Sequence, residues 1–154
     1  MHPGKKKLYK KKILFLVDYY LPGYRAGGPI RSIANFVEKL AYEFDIYIIC
    51  NDHDILELYQ YKNVNIDSWN IIGGARVFYS SKKTLSVSGL IKILNETDYD
   101  LLHFNSFFSF RFTIVPLLLR KFKLIPKKPY IICPRGNLSP AALNLKSLKK
   151  KNLH

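Results

Sequence analysis

Residues 13–17 (ILFLV) and 46–50 (IYIIC) are unbroken runs of five apolar residues, rich in β-branched side chains and with no polar position to turn toward water. A run that short and that uniform suits a strand buried on both faces, as in a parallel sheet sandwiched between helices. Between the two runs, residues 18–28 (DYYLPGYRAGG) hold Pro22, Gly23, Gly27 and Gly28 and read as a loop. Ile30, Ile33, Ala34, Val37, Leu40, Ala41 and Phe44 then recur at helical spacing. Pro29 suits the first helical position, where the N–H it lacks would be unpaired in any residue. Residues 13–50 therefore form a strand, helix, strand unit, and such crossovers are right-handed.

The remainder repeats the alternation. Residues 51–68 are irregular, and Gly73-Gly74 precedes a short strand at 76–79. Val87, Leu90, Ile91 and Leu94 give a helix that stops near Glu96, and residues 101–104 (LLHF) give another strand. A helix through 107–122 is expected to be interrupted or kinked at Pro116. Residues 130–133 (YIIC) form the last strand, after which Ser139 and Pro140 supply a cap and a first-turn proline ahead of Ala141, Ala142, Leu145 and Leu148. Strands alternating with helices around buried parallel strands define a doubly wound α/β fold with a mostly parallel sheet. The 154 residues amount to one domain at 13–154 behind a basic tail at 1–12, with no internal repeat.

Composition removes other classes. An apolar share of 48% with 23% charged residues closes one core and excludes a disordered or disulfide-held chain. The longest apolar stretch, 112–119 with Thr113 and Pro116 counted in, falls far short of the roughly 20 residues of a membrane span. Asp18 ends the first apolar run too soon for a secretory signal. Cys50 and Cys133 are far apart and read as small buried thiols, so the chain is expected to be cytoplasmic. Charge is the uneven quantity. Residues 1–12 carry six Lys and no acid, residues 13–100 carry eight basic and eleven acidic residues, and residues 101–154 carry eleven basic residues and no acid. Such ends attract polyanions: nucleic acid, anionic lipid or phosphate-bearing substrates. Lysine-rich codon drift accounts for part of the excess, since 19 of the 25 basic residues are Lys.

In open α/β sheets ligands bind beyond the carboxyl ends of the strands, which brings three sets of residues forward. Gly27-Gly28-Pro29 opens the strongest helix, where backbone without Cβ atoms and unpaired N–H groups suit a phosphate or carboxylate; a tight loop entering a helix is the plainer alternative. His103 stands near the end of its strand, followed by Asn105 and Ser106, although a lone histidine is more often structural. Arg135, between Pro134 and Gly136, follows the last strand and either clamps an anion or lies in a surface turn. Tyr19, Tyr20 and Tyr24 either stack on a ligand or pack on the sheet. Asp52-His53-Asp54 lies in a loop without a third partner, so no metal site is expected. No GxSxG elbow for hydrolysis occurs.

Taken in order, KILFLVDYYLPGYRAGGPIRSIANFVEKL, the strand leading into NDHD, DLLHFNSFFSF and PYIICPRGNLSPAALNLKSLKKK resemble the amino-terminal domain of a family-4 glycosyltransferase. These are two-Rossmann-domain (GT-B) enzymes, and the last stretch is similar to one found in enzymes that build surface polysaccharides. The resemblance implies a Rossmann-like sheet forming the amino-terminal half of that architecture. It also implies sugar transfer from a nucleotide-sugar donor to a glycan or lipid-linked acceptor hydroxyl, with retained anomeric configuration and no cofactor or bound metal. It places donor phosphate and sugar at Gly27 and Gly28, the reaction centre at His103, and acceptor or hinge contacts at Arg135.

Family members carry a second, donor-binding Rossmann domain. The resemblance therefore implies a fragment, a disrupted gene or half of a split enzyme, inactive without a second-domain chain. Two readings compete. One is a nucleic-acid-binding module, which has the basic ends but no RNP, KH or helix-turn-helix signature. The other is a peripheral module on an anionic membrane, touching lipid through its terminal lysines and residues 107–128; this one can coexist with sugar transfer at the inner face of the membrane.

Overall fold

A computed structural model describes residues 9–135. Six strands form one sheet: β1 (Lys11–Leu16), β2 (Phe44–Asn51), β3 (Trp69–Ile72), β4 (Ala75–Ser80), β5 (Leu101–Phe104) and β6 (Tyr130–Ile132). Their order across the sheet is β3-β4-β2-β1-β5-β6, and every neighbouring pair is parallel except β3 with β4. Helix α1 (Gly28–Leu40) covers one face, while α2 (Val87–Glu96) and α3 (Val115–Lys121) cover the other. This is a doubly wound, mostly parallel, Rossmann-like sheet, whose order reverses between β1 and β5.

The two-sided burial inferred from residues 13–17 is visible side chain by side chain. Ile13, Phe15 and Val17 pack with Ile33 and Val37 of α1, whereas Leu14 and Leu16 pack with Leu90 and Leu94 of α2 and Leu119 of α3. Period-two alternation therefore serves two cores at once. No helix among the described residues is long and apolar enough to cross a membrane.

Three elements differ from what the sequence pattern suggests. Helix α1 ends at Leu40, and Phe44 begins β2 opposite Lys11; its helical spacing from Ala41 is a coincidence across the intervening turn. Strand β3, a segment the sequence pattern leaves unassigned, pairs with β4 as a hairpin whose two-residue loop is Gly73-Gly74. Gly73 takes φ 60°, which the first central position of such a loop favours. Trp69 anchors the hairpin edge-on against Tyr47 and Phe78. The helix expected through 107–122 starts at Phe110 and changes its winding just before Pro116. A π-helical turn, Phe110–Ile114, runs into α3, with Ile114 N–H donating to the Ser109 carbonyl and Val115 N–H to that of Phe110. This wider turn accommodates a proline ring that would otherwise crowd the carbonyl four residues back. The helix expected after Ser139 lies outside the described residues.

At α2, Ser86 caps the helix by accepting from Gly89 N–H at 3.2 Å. A Cβ on Gly89 would lie 2.5 Å from the Thr84 carbonyl oxygen and 2.7 Å from that of Lys83. Gly→Ala in a helix ordinarily gains about 1 kcal/mol, but overpacking against backbone costs roughly 1–3 kcal/mol and dominates here. Gly89→Ala should therefore lower stability by about 1 kcal/mol in urea unfolding. A midpoint equal to or above that of the unsubstituted protein would contradict the packing described.

Candidate functional site

Strand β5 turns the His103 side chain toward the face covered by α1. In register with Phe15 of β1, its imidazole lies over that ring with centroids 4.4 Å apart. Nε2 is 3.3 Å from Cys133 Sγ, and Nδ1 is buried without a hydrogen bond of good geometry. Arg135 sits just beyond β6 with φ 47°. Its Nε donates to Asn105 Oδ1 at 2.8 Å, Nη2 donates to the same oxygen, and Nη1 donates to Ser32 Oγ of α1 at 2.5 Å. One guanidinium thus ties the end of β5 to α1. Phe15, Ser32, Phe36, His103, Cys133 and Arg135 line a cleft of about 430 Å³. Burial, and then the positive charge of Arg135, push the His103 pKa down to about 4, with the residue's own backbone pulling weakly back. At neutral pH the imidazole is uncharged.

Gly27 and Gly28 stand at the start of the same helix, one turn before Ser32. Gly27 has φ 66° and ψ −118°, a combination favouring glycine, and no side chain caps α1. A Cβ on either glycine would meet nothing within 4 Å, so the space beyond this loop is open. Gly28 itself has an ordinary φ. The structure therefore joins His103, Arg135 and α1 around one cleft and sets the glycine loop at its helix-start end rather than in its lining.

A second cavity, of about 350 Å³, opens at the carboxyl ends of β1, β2 and β4 toward the other face of the sheet. It is lined by Asp18, Tyr19, Asp52, His53, Ser80 and Arg111, among others. Asp52 holds His53 Nδ1 at 2.6 Å and accepts from Gln60 Nε2 at 2.6 Å. Asp18 accepts from Ser109 Oγ at 2.8 Å; burial raises its pKa against that bond. Ser80 Oγ is fully buried and has no hydrogen-bond partner among the described residues. Sequence alone does not group these residues, because three separate strand ends contribute them, although Asp52 and His53 do directly follow a recognisable strand. Asp54 instead organises the loop backbone, accepting from the N–H groups of Tyr24, Arg25 and Ile55. Burial opposes its charge, but these bonds prevail and hold its pKa low. Of the loop tyrosines, Tyr20 packs into the core, Tyr24 is exposed and Tyr19 lines this cavity. Among the described residues no group of three or more His, Cys, Asp or Glu side chains is placed to hold a metal ion.

Compared with known proteins, the chain matches no family model, no curated protein and no solved structure. The fold and these two clefts define a Rossmann-like α/β domain with polar groups gathered at the carboxyl edge of the sheet.

His103 carries a test of this electrostatic picture. Its proton binds more tightly in the unfolded chain, at an ordinary value of 6.5, than in the fold, at about 4. The stability owed to a neutral His103 is therefore complete above the higher value and is lost as pH falls through the window toward the lower one. The urea midpoint of the unsubstituted protein should fall further between pH 7 and pH 4.5 than that of His103→Gln, which cannot ionise. Equal losses would mean that His103 is not held neutral by its surroundings.

Proposed function

We propose that this domain forms the acceptor-side wall of a glycosyl-transfer site. It is the amino-terminal half of a two-domain GT-B enzyme of the family-4 kind, working in the cytoplasm with a second domain that holds the nucleotide-sugar. The observation that carries the reading is the conjunction at the switch between β1 and β5: an uncapped helix start behind two open glycines, with neutral His103 and the Arg135 bridge beside it. The sequence resemblance supports the same residues independently.

The chemistry follows from charge. In transfer, the bond from the sugar's anomeric carbon to the diphosphate breaks and one to the acceptor oxygen forms. The acceptor proton passes to the departing phosphate or to water. Charge accumulates on the phosphate, and the first-turn N–H groups of α1, with roughly half a positive charge at that helix end, oppose it. The open space at Gly27 and Gly28 lets phosphate oxygens approach the backbone. His103, uncharged at pH 7, exchanges a hydrogen bond with a sugar or acceptor hydroxyl. Arg135 is a positioning residue, spending its donors on Asn105 and Ser32 to keep the wall in register.

Titrating UDP and GDP into the isotopically labelled chain tests the phosphate contact, read at the backbone amides of Gly28, Ile30 and Arg31. We expect weak, saturable shifts there at low salt that fade near physiological ionic strength, because one wall of a cleft recovers little of the entropy lost on binding. Gly28→Val should weaken them about tenfold with circular dichroism unchanged, since its Cβ meets no protein atom. His103→Ala should leave them nearly as they are. Shifts confined to the surface lysines, or a Gly28→Val variant that binds as before, would contradict the proposal.

A further inference from the structure

We propose that the outward face of the segment Phe110 to Phe122 docks on an anionic lipid bilayer. Its inward residues Phe112, Val115 and Leu119 are already buried in the core. A helix on a soluble surface normally turns polar residues outward. Here Phe110, Ile114, Leu118 and Phe122 occupy the outer side at steps of four and are 67%, 37%, 47% and 67% exposed. Phe107 and Phe108, packed edge to face on one another, extend the apolar strip beyond the start of the helix.

The charges that the segment and its continuation to Lys128 carry are of one sign. Arg111, Lys121, Lys123 and Lys127 are exposed and make no ion pair among the described residues. No Asp or Glu occurs anywhere after Asp100. An apolar centre within a cationic rim complements a surface that is anionic at its headgroups and apolar just beneath, the arrangement of an interfacial helix on acidic lipid. A second copy of the chain fits poorly, since a two-fold contact would bring the same cations face to face. A nucleic acid would satisfy the cations and leave Ile114 and Leu118 without an apolar partner. Phe110 and Arg111 also line the cavity that holds Asp52–His53 and Ser80, so docking on this face would set that cavity beside the lipid surface. Docking of this kind depends on the surface alone, whether or not the domain takes part in sugar transfer.

Sedimentation of the full chain with vesicles is the test, using phosphatidylglycerol mixed with phosphatidylcholine against phosphatidylcholine alone. Binding should be at least about tenfold tighter to the anionic vesicles. The triple variant Phe110→Ser, Leu118→Ser, Phe122→Ser should lose about tenfold even at low salt. Its side chains are exposed, so circular dichroism and the urea midpoint should be unchanged. Lys121→Gln with Lys123→Gln and Lys127→Gln should weaken binding and flatten its salt dependence, and in Phe110→Trp the indole emission should shift to the blue on anionic vesicles. Failure to bind anionic vesicles at low salt would overturn the proposal. So would a triple serine variant that binds as well as the unsubstituted chain, or a concentration-dependent dimer that the same variant abolishes.

Discussion

Burial of β1 from both sides is the constraint on which the rest of this domain depends. Its four apolar side chains, with Val17 just beyond them, contribute roughly 1.5–3 kcal/mol each when removed from water, and they do so only if α1 covers one face of the sheet and α2 with α3 the other. Once both covers are in place, β2 and β5 flank β1 in parallel, and their carboxyl ends emerge along one edge. The backbone bond from Asn51 to the Asp18 carbonyl and that from Asn105 to the Leu16 carbonyl continue this alignment past the strands. The candidate site is therefore a consequence of the sheet.

The two clefts lie toward opposite faces of that edge and differ in how they treat charge. On the α1 side, a guanidinium committed to Asn105 and Ser32 helps keep His103 neutral. On the other side, the Asp52 carboxylate holds a histidine ring directly, and a buried serine hydroxyl has no hydrogen-bond partner among the described residues. A buried hydroxyl without a hydrogen bond is costly, and polar ligands are what commonly satisfy such groups. A neutral imidazole near an open helix start and a carboxylate-held imidazole lining a cavity with a buried serine are two chemically distinct walls.

Much of this was legible in the chain, for identifiable reasons. Residues 13–17 and 46–50 announce buried strands because they are continuous apolar runs, residues 101–104 do so although His103 stands among them, and the α1 periodicity is clean up to Leu40. Strand β3 escaped because its WNII segment is short and half exposed at the sheet edge, although Gly73-Gly74 marked the hairpin loop. The π-helical turn has no local signal apart from Pro116 itself. Gly27, Gly28, His103 and Arg135 could be singled out by their places at or after the carboxyl ends of strands, but their mutual geometry could not. The bond between Arg135 and Ser32 spans 103 positions in sequence, and only the strand order brings its ends together. Ser80 belongs to a site for the same reason, because nothing local says that β4 lies beside β2.

The central claim is that a diphosphate meets this edge at the start of α1, with its sugar toward His103. The most direct measurement is a crystal structure of the chain grown with a saturating UDP-sugar or GDP-sugar. The account predicts phosphate oxygens within hydrogen-bond distance of the first-turn N–H groups beyond Gly27, and the sugar ring facing the cleft of His103 and Arg135. A diphosphate seated instead on Lys82 and Arg111 in the cavity of Asp52 and His53, with the α1 start free of ligand, would contradict it.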